Sequence, residues 1–198
     1  MKRTLNYTRC AVVCHGFSEY QIARYIKSNL HLKLEIFARE KGATSIQITS
    51  VIGFLSKKIY QNLSKFSEEY DVKYDKKNKK LVNFRLFVIM DTDDCTEKQK
   101  DDFMSKELFK GHPLYEYIYP ISNVRNLEEV LQKAGISAEK VRDSEKGEYY
   151  LNAFPINNEP FSYDSLLEVK TLHDKLKPIK NTNMEEFLAY CISLIENN

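Results

Sequence analysis

Two hydrophobic periods alternate along this chain. Residues 9 to 14, RCAVVC, form a short apolar run that stops at His15-Gly16, and a stripe with helical spacing follows at once through Ile22, Tyr25, Ile26 and Leu30. Ser18 with Gln21 three positions later carries a capping-box signature, so a buried strand is predicted to lead straight into a helix. Two β-like runs come next, LKLEIF at 32–37 and TSIQIT at 44–49, divided by a Lys41-Gly42 turn. Val51, Leu55, Ile59, Leu63, Phe66 and Tyr70 then recur every three or four residues and predict one long helix. It ends in the charged segment DVKYDKKNKK at 71–80, which reads as a solvated loop or a hairpin tip.

LVNFRLFVIM at 81–90 is the most strand-like run, apolar and β-branched or aromatic enough for a central strand buried on both faces. It stops abruptly at DTDD. Thr96 and Gln99 form a second capping box before a polar helix to about Leu108, and LYEYIYPI at 114–121 reads as a further strand. Asn126 with Glu129 opens a short helix that Gly135 closes. Beyond GEYYLNAFP, which has no clear period, helices are predicted over about 164–176 and 183–196, the second with Phe187, Leu188, Cys191, Ile192 and Ile195 on one face.

Strands alternating with helices predict an α/β fold: a mainly parallel sheet with helices on both faces, since parallel strands need crossovers and helices usually supply them. The chain, 1–198, reads as a single domain with an α/β core over 9–135 and an appended helical tail over 160–198. The tail's last helix either docks on that core or joins two copies as a homodimer.

Composition fits this picture and narrows the partners. At 198 residues and 42% hydrophobic the chain can bury one good core. Its 30 Lys and Arg against 28 Asp and Glu give a net charge of +2, so a nucleic-acid partner has to be argued from a local patch. Cys10, Cys14, Cys95 and Cys191 include no CxxC pair and read as reduced, structural thiols. MKRTLNYTRC is too polar for a secretory signal, and no apolar run approaches the roughly 18 to 20 residues of a membrane span. A cytoplasmic protein with no membrane partner is the expectation.

In open α/β sheets ligands bind beyond the carboxyl ends of the strands. His15, Gly16, Ser18 and Glu19 follow one predicted strand, and Asp91, Asp93 and Asp94 end the other. In an extended DTD segment Asp91 and Asp93 would share one side. Oxygen ligands of this kind suit Mg²⁺ or Mn²⁺, here through Glu19, Asp91, Asp93 and Asp94. Gly16 would make a tight turn needing positive φ and, with Ser18 at a helix N-terminus, let a phosphate approach. Arg24, Lys27, Lys33 and Arg39 add positive charge in the first third, and Tyr115, Tyr117 and Tyr119, alternating on one strand, could stack bases or pack on a helix.

VVCHGFSE, a strand followed by Gly16 and Glu19, together with LFVIMDTDD, a strand ending in Asp91 and Asp93, resembles the Toprim domain of type IA topoisomerases, bacterial primases, and OLD-family and related defence nucleases. The resemblance covers about residues 9 to 135. It implies a divalent-cation site at Glu19, Asp91 and Asp93, and a phosphodiester-cleaving nuclease of the phage-defence or mobile-element type acting on nucleic acid. His15 stands where that family carries a glutamate. Histidine transfers protons near neutral pH and binds metal through one ring nitrogen, yet supplies no negative charge. His15 is therefore either the proton-transfer group of a variant site or the mark of a scaffold that has lost catalysis. In the second case the fold would be a non-catalytic nucleotide- or partner-binding module, for example the partner of an ATPase. A receiver-like phosphoacceptor role for Asp91 or Asp93 is a third reading, weakened by the lack of a convincing lysine partner.

Overall fold

The protein is described by a computed structural model over residues 7–137 and 145–197. In chain order its elements are β1 (Cys10–Cys14), α1 (Phe17–Asn29), β2 (Leu34–Phe37), α2 (Val51–Leu55), α3 (Leu63–Glu69), β3 (Tyr74–Asp75), β4 (Lys80–Leu81) and β5 (Arg85–Asp91). These are followed by α4 (Glu97–Met104), β6 (Ile118–Asn123), α5 (Leu127–Lys133), α6 (Lys146–Ala153), α7 (Tyr163–Leu176) and α8 (Met184–Glu196). Four strands form a wholly parallel sheet in the order β2-β1-β5-β6, and β3 with β4 makes a small antiparallel hairpin. The hairpin occupies the charged 71–80 segment.

The period of two in β1 and β5 separates two cores. Cys10, Val12, Cys14, Phe87 and Ile89 face one of them, with α1, α5, α6, α7 and α8, while Ala11, Val13, Leu86, Val88 and Met90 face the other, with α2, α3 and α4. Both strands are buried on both faces, which is why their sequences are continuous apolar runs rather than alternating ones. The tail docks at home. Phe187 of α8 meets Phe87 of β5 with ring centroids 5.1 Å apart, and Val124 N donates to Asn181 O at 2.7 Å just before that helix.

Several local expectations are corrected. TSIQIT alternates in burial, with Ile46 and Ile48 inside and Gln47 outside, but among the described residues its strand pairing is limited to one isolated antiparallel bridge from Thr44 to Arg39. It crosses the end of β1 instead, where Ile46 N donates to His15 O at 2.7 Å. The long helix predicted from 51 to 70 breaks into α2 and α3. Tyr60 turns inward between Phe37 and Phe54, and Asn62 starts α3 by accepting from Lys65 N at 3.0 Å. The strand predicted at 114–121 begins only at Ile118. Tyr115 and Tyr117 lie in a 3-10 turn, so the three tyrosines do not form a row on one strand.

Candidate functional site

The sheet order fixes where a ligand crevice lies. From β1 the chain crosses to β2 on one side and then to β5 on the other, so the topological switch point falls between the carboxyl ends of β1 and β5. His15 directly follows β1, and Asp91 is the last residue of β5. Across that boundary His15 Nε2 and Asp91 Oδ2 stand 3.9 Å apart.

His15 is oriented from behind. Its Nδ1 lies 2.9 Å from the Ile46 carbonyl oxygen, which can only accept, so Nδ1 carries a proton. In the neutral ring the Nε2 lone pair then faces Asp91, a position from which it can take a proton or a metal ion. Gly42 allows the crossing segment to come this close. Its φ is +90°, and a Cβ there would fall 2.6 Å from Phe17 Cα and 2.8 Å from Gly16 O.

Helix α1 is capped at Gly16 rather than Ser18. Glu19, in the third helical position, accepts from Gly16 N at 2.9 Å, and Ser18 Oγ donates to Glu128 Oε1 at 3.2 Å. Gly16 has φ −144°, ordinary extended backbone, and a Cβ would meet only normal contacts at 3.6 Å. The expected positive φ is therefore corrected. The Gly16 N–H and the Ser18 hydroxyl, both assigned to phosphate from the sequence, are each engaged by a carboxylate.

Glu19 is 2% exposed and Asp91 6% exposed. Burial raises the carboxyl pKa of Glu19 above the usual range, opposed by the nearby His15 and by backbone N–H groups, with Glu128 adding to the rise. Asp91 is pushed up further, first by burial and then by the charge of Glu19; its hydrogen bond from Asn123 pulls the other way, while Glu128 and Asp93 add repulsion. One Glu19 oxygen, Oε1, is buried without a hydrogen-bond partner among the described residues. Such a group is costly unless something binds it.

The acids beyond Asp91 behave differently from the expectation of an extended DxD. The strand ends at Asp91, Thr92 N turns to bond Asn123 O and Arg125 O at 3.1 Å each, and Asp93 and Asp94 lie exposed in the following turn. Asp93 still acts on Asp91 through its charge, whereas the charge of Asp94 acts on Cys95. Of the basic residues singled out in the first third, Lys33 pairs with Asp71 and Arg24 bonds Gln21. A lysine not anticipated, Lys146 of α6, reaches Glu128 Oε1 at 3.4 Å.

Two members of the site escaped the sequence reading. Asn123, wholly buried, donates from Nδ2 to Asp91 Oδ1 at 3.0 Å, and Glu128 brings a third acid from the first turn of α5. Asn123 ends β6, so asking the strand-end question of a third strand would have found it. Glu128 gave no signal apart from the ordinary preference for acids at a helix start.

Among the described residues no group of three or more His, Cys, Asp or Glu side chains is arranged so as to hold a metal ion. Mg²⁺ commonly takes only one or two protein carboxylates and keeps its waters. Asp91 Oδ2 and the unpartnered Glu19 Oε1 match that smaller donor set, and the repulsion between these acids is what a cation relieves. Comparison with known proteins finds no matching family model, no similar curated protein and no similar solved structure. Among the described residues no helix is long and apolar enough to cross a membrane.

Proposed function

We propose that this chain is a Toprim-like phosphodiesterase of the defence-nuclease type, cleaving nucleic acid with Mg²⁺ or Mn²⁺ at the crevice between β1 and β5. The observation that carries the reading is the 3.9 Å approach of His15 Nε2 to Asp91 Oδ2 at the switch point, near enough to the buried Glu19 for its charge to act on both residues. Glu19 and Asp91 would hold the cation, with Asp93 reaching it through water from the exposed turn. When bound, the ion polarises a phosphoryl oxygen and lowers the pKa of a coordinated water. His15, with Nδ1 fixed by Ile46 O, presents Nε2 to take the proton from the attacking water. Asn123 holds Asp91 in the rotamer that faces the histidine.

A cleavage assay with Mn²⁺ on single- and double-stranded DNA and RNA tests this. Cleavage should be lost in Asp91→Asn and fall by about a hundredfold in His15→Ala, both variants remaining folded. A folded wild type with no cleavage and no Mn²⁺ affinity ends the nuclease reading. It leaves a non-catalytic module that uses the same crevice for a nucleotide or for an ATPase partner.

A further inference from the structure

At the opposite edge of the sheet lies a second polar pocket. Arg85 and Asp91, first and last residues of β5, are about 20 Å apart at roughly 3.3 Å per residue, so this pocket does not share the crevice described above. It is a cavity of ≈ 390 Å³ lined among others by Arg9, Asn83, Phe84, Arg85, Tyr119 and Tyr190. That volume is at the lower end of the range of small-molecule sites.

One of its two arginines is held by aromatic rings. The Arg85 guanidinium carbon sits 4.5 Å from the ring centroid of Tyr119 and 4.4 Å from that of Tyr190. The two rings contact the guanidinium and restrict it, which leaves its N–H donors as the groups available for hydrogen bonding. Among the described residues neither Arg85 nor Arg9 has a side-chain hydrogen bond or a carboxylate partner. Arg9 is anchored only through its backbone, where its carbonyl accepts from Arg85 N at 3.0 Å and from the Tyr190 hydroxyl at 3.1 Å. The ring-held guanidinium of Arg85 and the half-buried Arg9 thus line one cavity with no carboxylate of the described residues paired to either.

We propose that this pocket binds a nucleoside monophosphate, Arg85 and Arg9 taking the phosphate and the apolar part of the lining taking the base. A doubly charged phosphate matches two guanidinium forks better than a single carboxylate does. The cavity is larger than a phosphate alone, and Leu81, Phe84 and Leu194 add apolar lining that a base can contact. The site stands independently of the phosphodiesterase reading.

Calorimetric titration of the full chain with AMP, UMP, adenosine and inorganic phosphate tests the assignment. AMP or UMP should bind saturably, and adenosine at least about tenfold more weakly, since it lacks the charge-assisted bonds. Arg85→Lys keeps the charge but loses the planar fork, and should weaken AMP by about tenfold. Because Arg85 also packs between two rings, Asn83→Asp serves as a second variant. Asn83 is exposed with φ +53°, a conformation aspartate tolerates, so the fold is kept while a negative charge enters the pocket, and AMP affinity should again drop by about tenfold. Asp91→Asn, at the far edge, should leave AMP binding unchanged. Failure of wild type to bind either nucleotide at millimolar concentration overturns the proposal. So does equal affinity for AMP and adenosine, or an Asn83→Asp variant that binds AMP like wild type. Binding of an oligonucleotide without binding of either mononucleotide would also overturn it and reassign the pocket to nucleic acid.

Discussion

Asn123 Nδ2 donates to Asp91 Oδ1 at 3.0 Å, while Asn123 Oδ1 accepts from the Thr182 hydroxyl at 2.8 Å. One buried amide thus links the acid at the end of β5 to the segment that launches α8. The C-terminal helices consequently do more than cover a face of the sheet. Their entry point sets the orientation of a carboxylate in the candidate site.

Replacing that amide by an apolar side chain of similar size isolates the link. Asn123→Leu leaves Asp91 Oδ1 without its donor and the Thr182 hydroxyl proton without its acceptor in a buried place, the Thr182 oxygen still accepting from Met184 N, and should cost about 2 to 3 kcal/mol. Urea unfolding measures it. A loss under about 0.5 kcal/mol, within the range of ordinary surface changes, would show that the amide is incidental.

The two buried acids predict a stability effect with a definite sign. Burial and mutual repulsion raise the carboxyl pKa values of Glu19 and Asp91 in the folded protein. Above about pH 4, where the unfolded chain releases these protons, the folded protein still holds them, so stability falls as pH rises from there through the raised pKa values. Glu19→Gln and Asp91→Asn should therefore each raise the melting temperature of the cation-free protein at pH 8, by roughly 2 to 4 °C for each kcal/mol gained. The gain should vanish near pH 4, where the acids are protonated in both states. Mn²⁺ should stabilise wild type and leave Asp91→Asn unmoved, through preferential binding to the folded form. Variants that melt lower than wild type at pH 8 would contradict the assignment of strain to these charges.

Much of the architecture could be read from periodicity because β1 and β5 are buried on both faces and the helices around them on one. The carboxyl-end rule points to His15, Glu19 and Asp91 from their places after two apolar runs. What could not be read depends on contacts between distant segments. TSIQIT has a strand's alternation but, beyond one isolated bridge from Thr44 to Arg39, its backbone bonds His15 rather than a strand. Asp93 has the right spacing for an extended DxD, yet the backbone of Thr92 turns toward β6 and α5. Glu128 enters the site only because the first turn of α5 meets the first turn of α1, where Ser18 bonds it, a matter of topology that no local pattern encodes. The capping box assigned to Ser18 misled because Glu19 satisfies the Gly16 N–H two residues earlier.

The close approach at Gly42 gives a test of how His15 is held. Gly42→Ala combines φ +90° with three backbone atoms under 3.0 Å from the new Cβ, at a cost of about 2 kcal/mol or more. Relief requires the 40–46 segment to back away from the start of α1, and with it the Ile46 carbonyl that orients the imidazole. Gly53→Ala is the matched control, since its Cβ meets nothing within 4 Å and its place inside α2 favours alanine. Equal urea midpoints for the two variants would remove Gly42 from the account of the site.

The last prediction concerns the charge that His15 leaves out. A glutamate at this position would put a further carboxylate beside Asp91, Glu19 and Glu128, in surroundings where the existing acids already repel. His15→Glu should therefore lower the melting temperature of the cation-free protein and, because the added negative charge sits where a cation would be held, tighten Mn²⁺ by about tenfold, roughly 1.4 kcal/mol. The two effects must appear together: repulsion without a gain in Mn²⁺ affinity would mean that the crevice between β1 and β5 does not present its carboxylates to a shared ion. His15→Gln separates charge from shape, since it carries no charge and should show neither change. If His15→Glu binds Mn²⁺ no better than His15→Gln while both are folded, the cation site fails, and the phosphodiesterase reading fails with it.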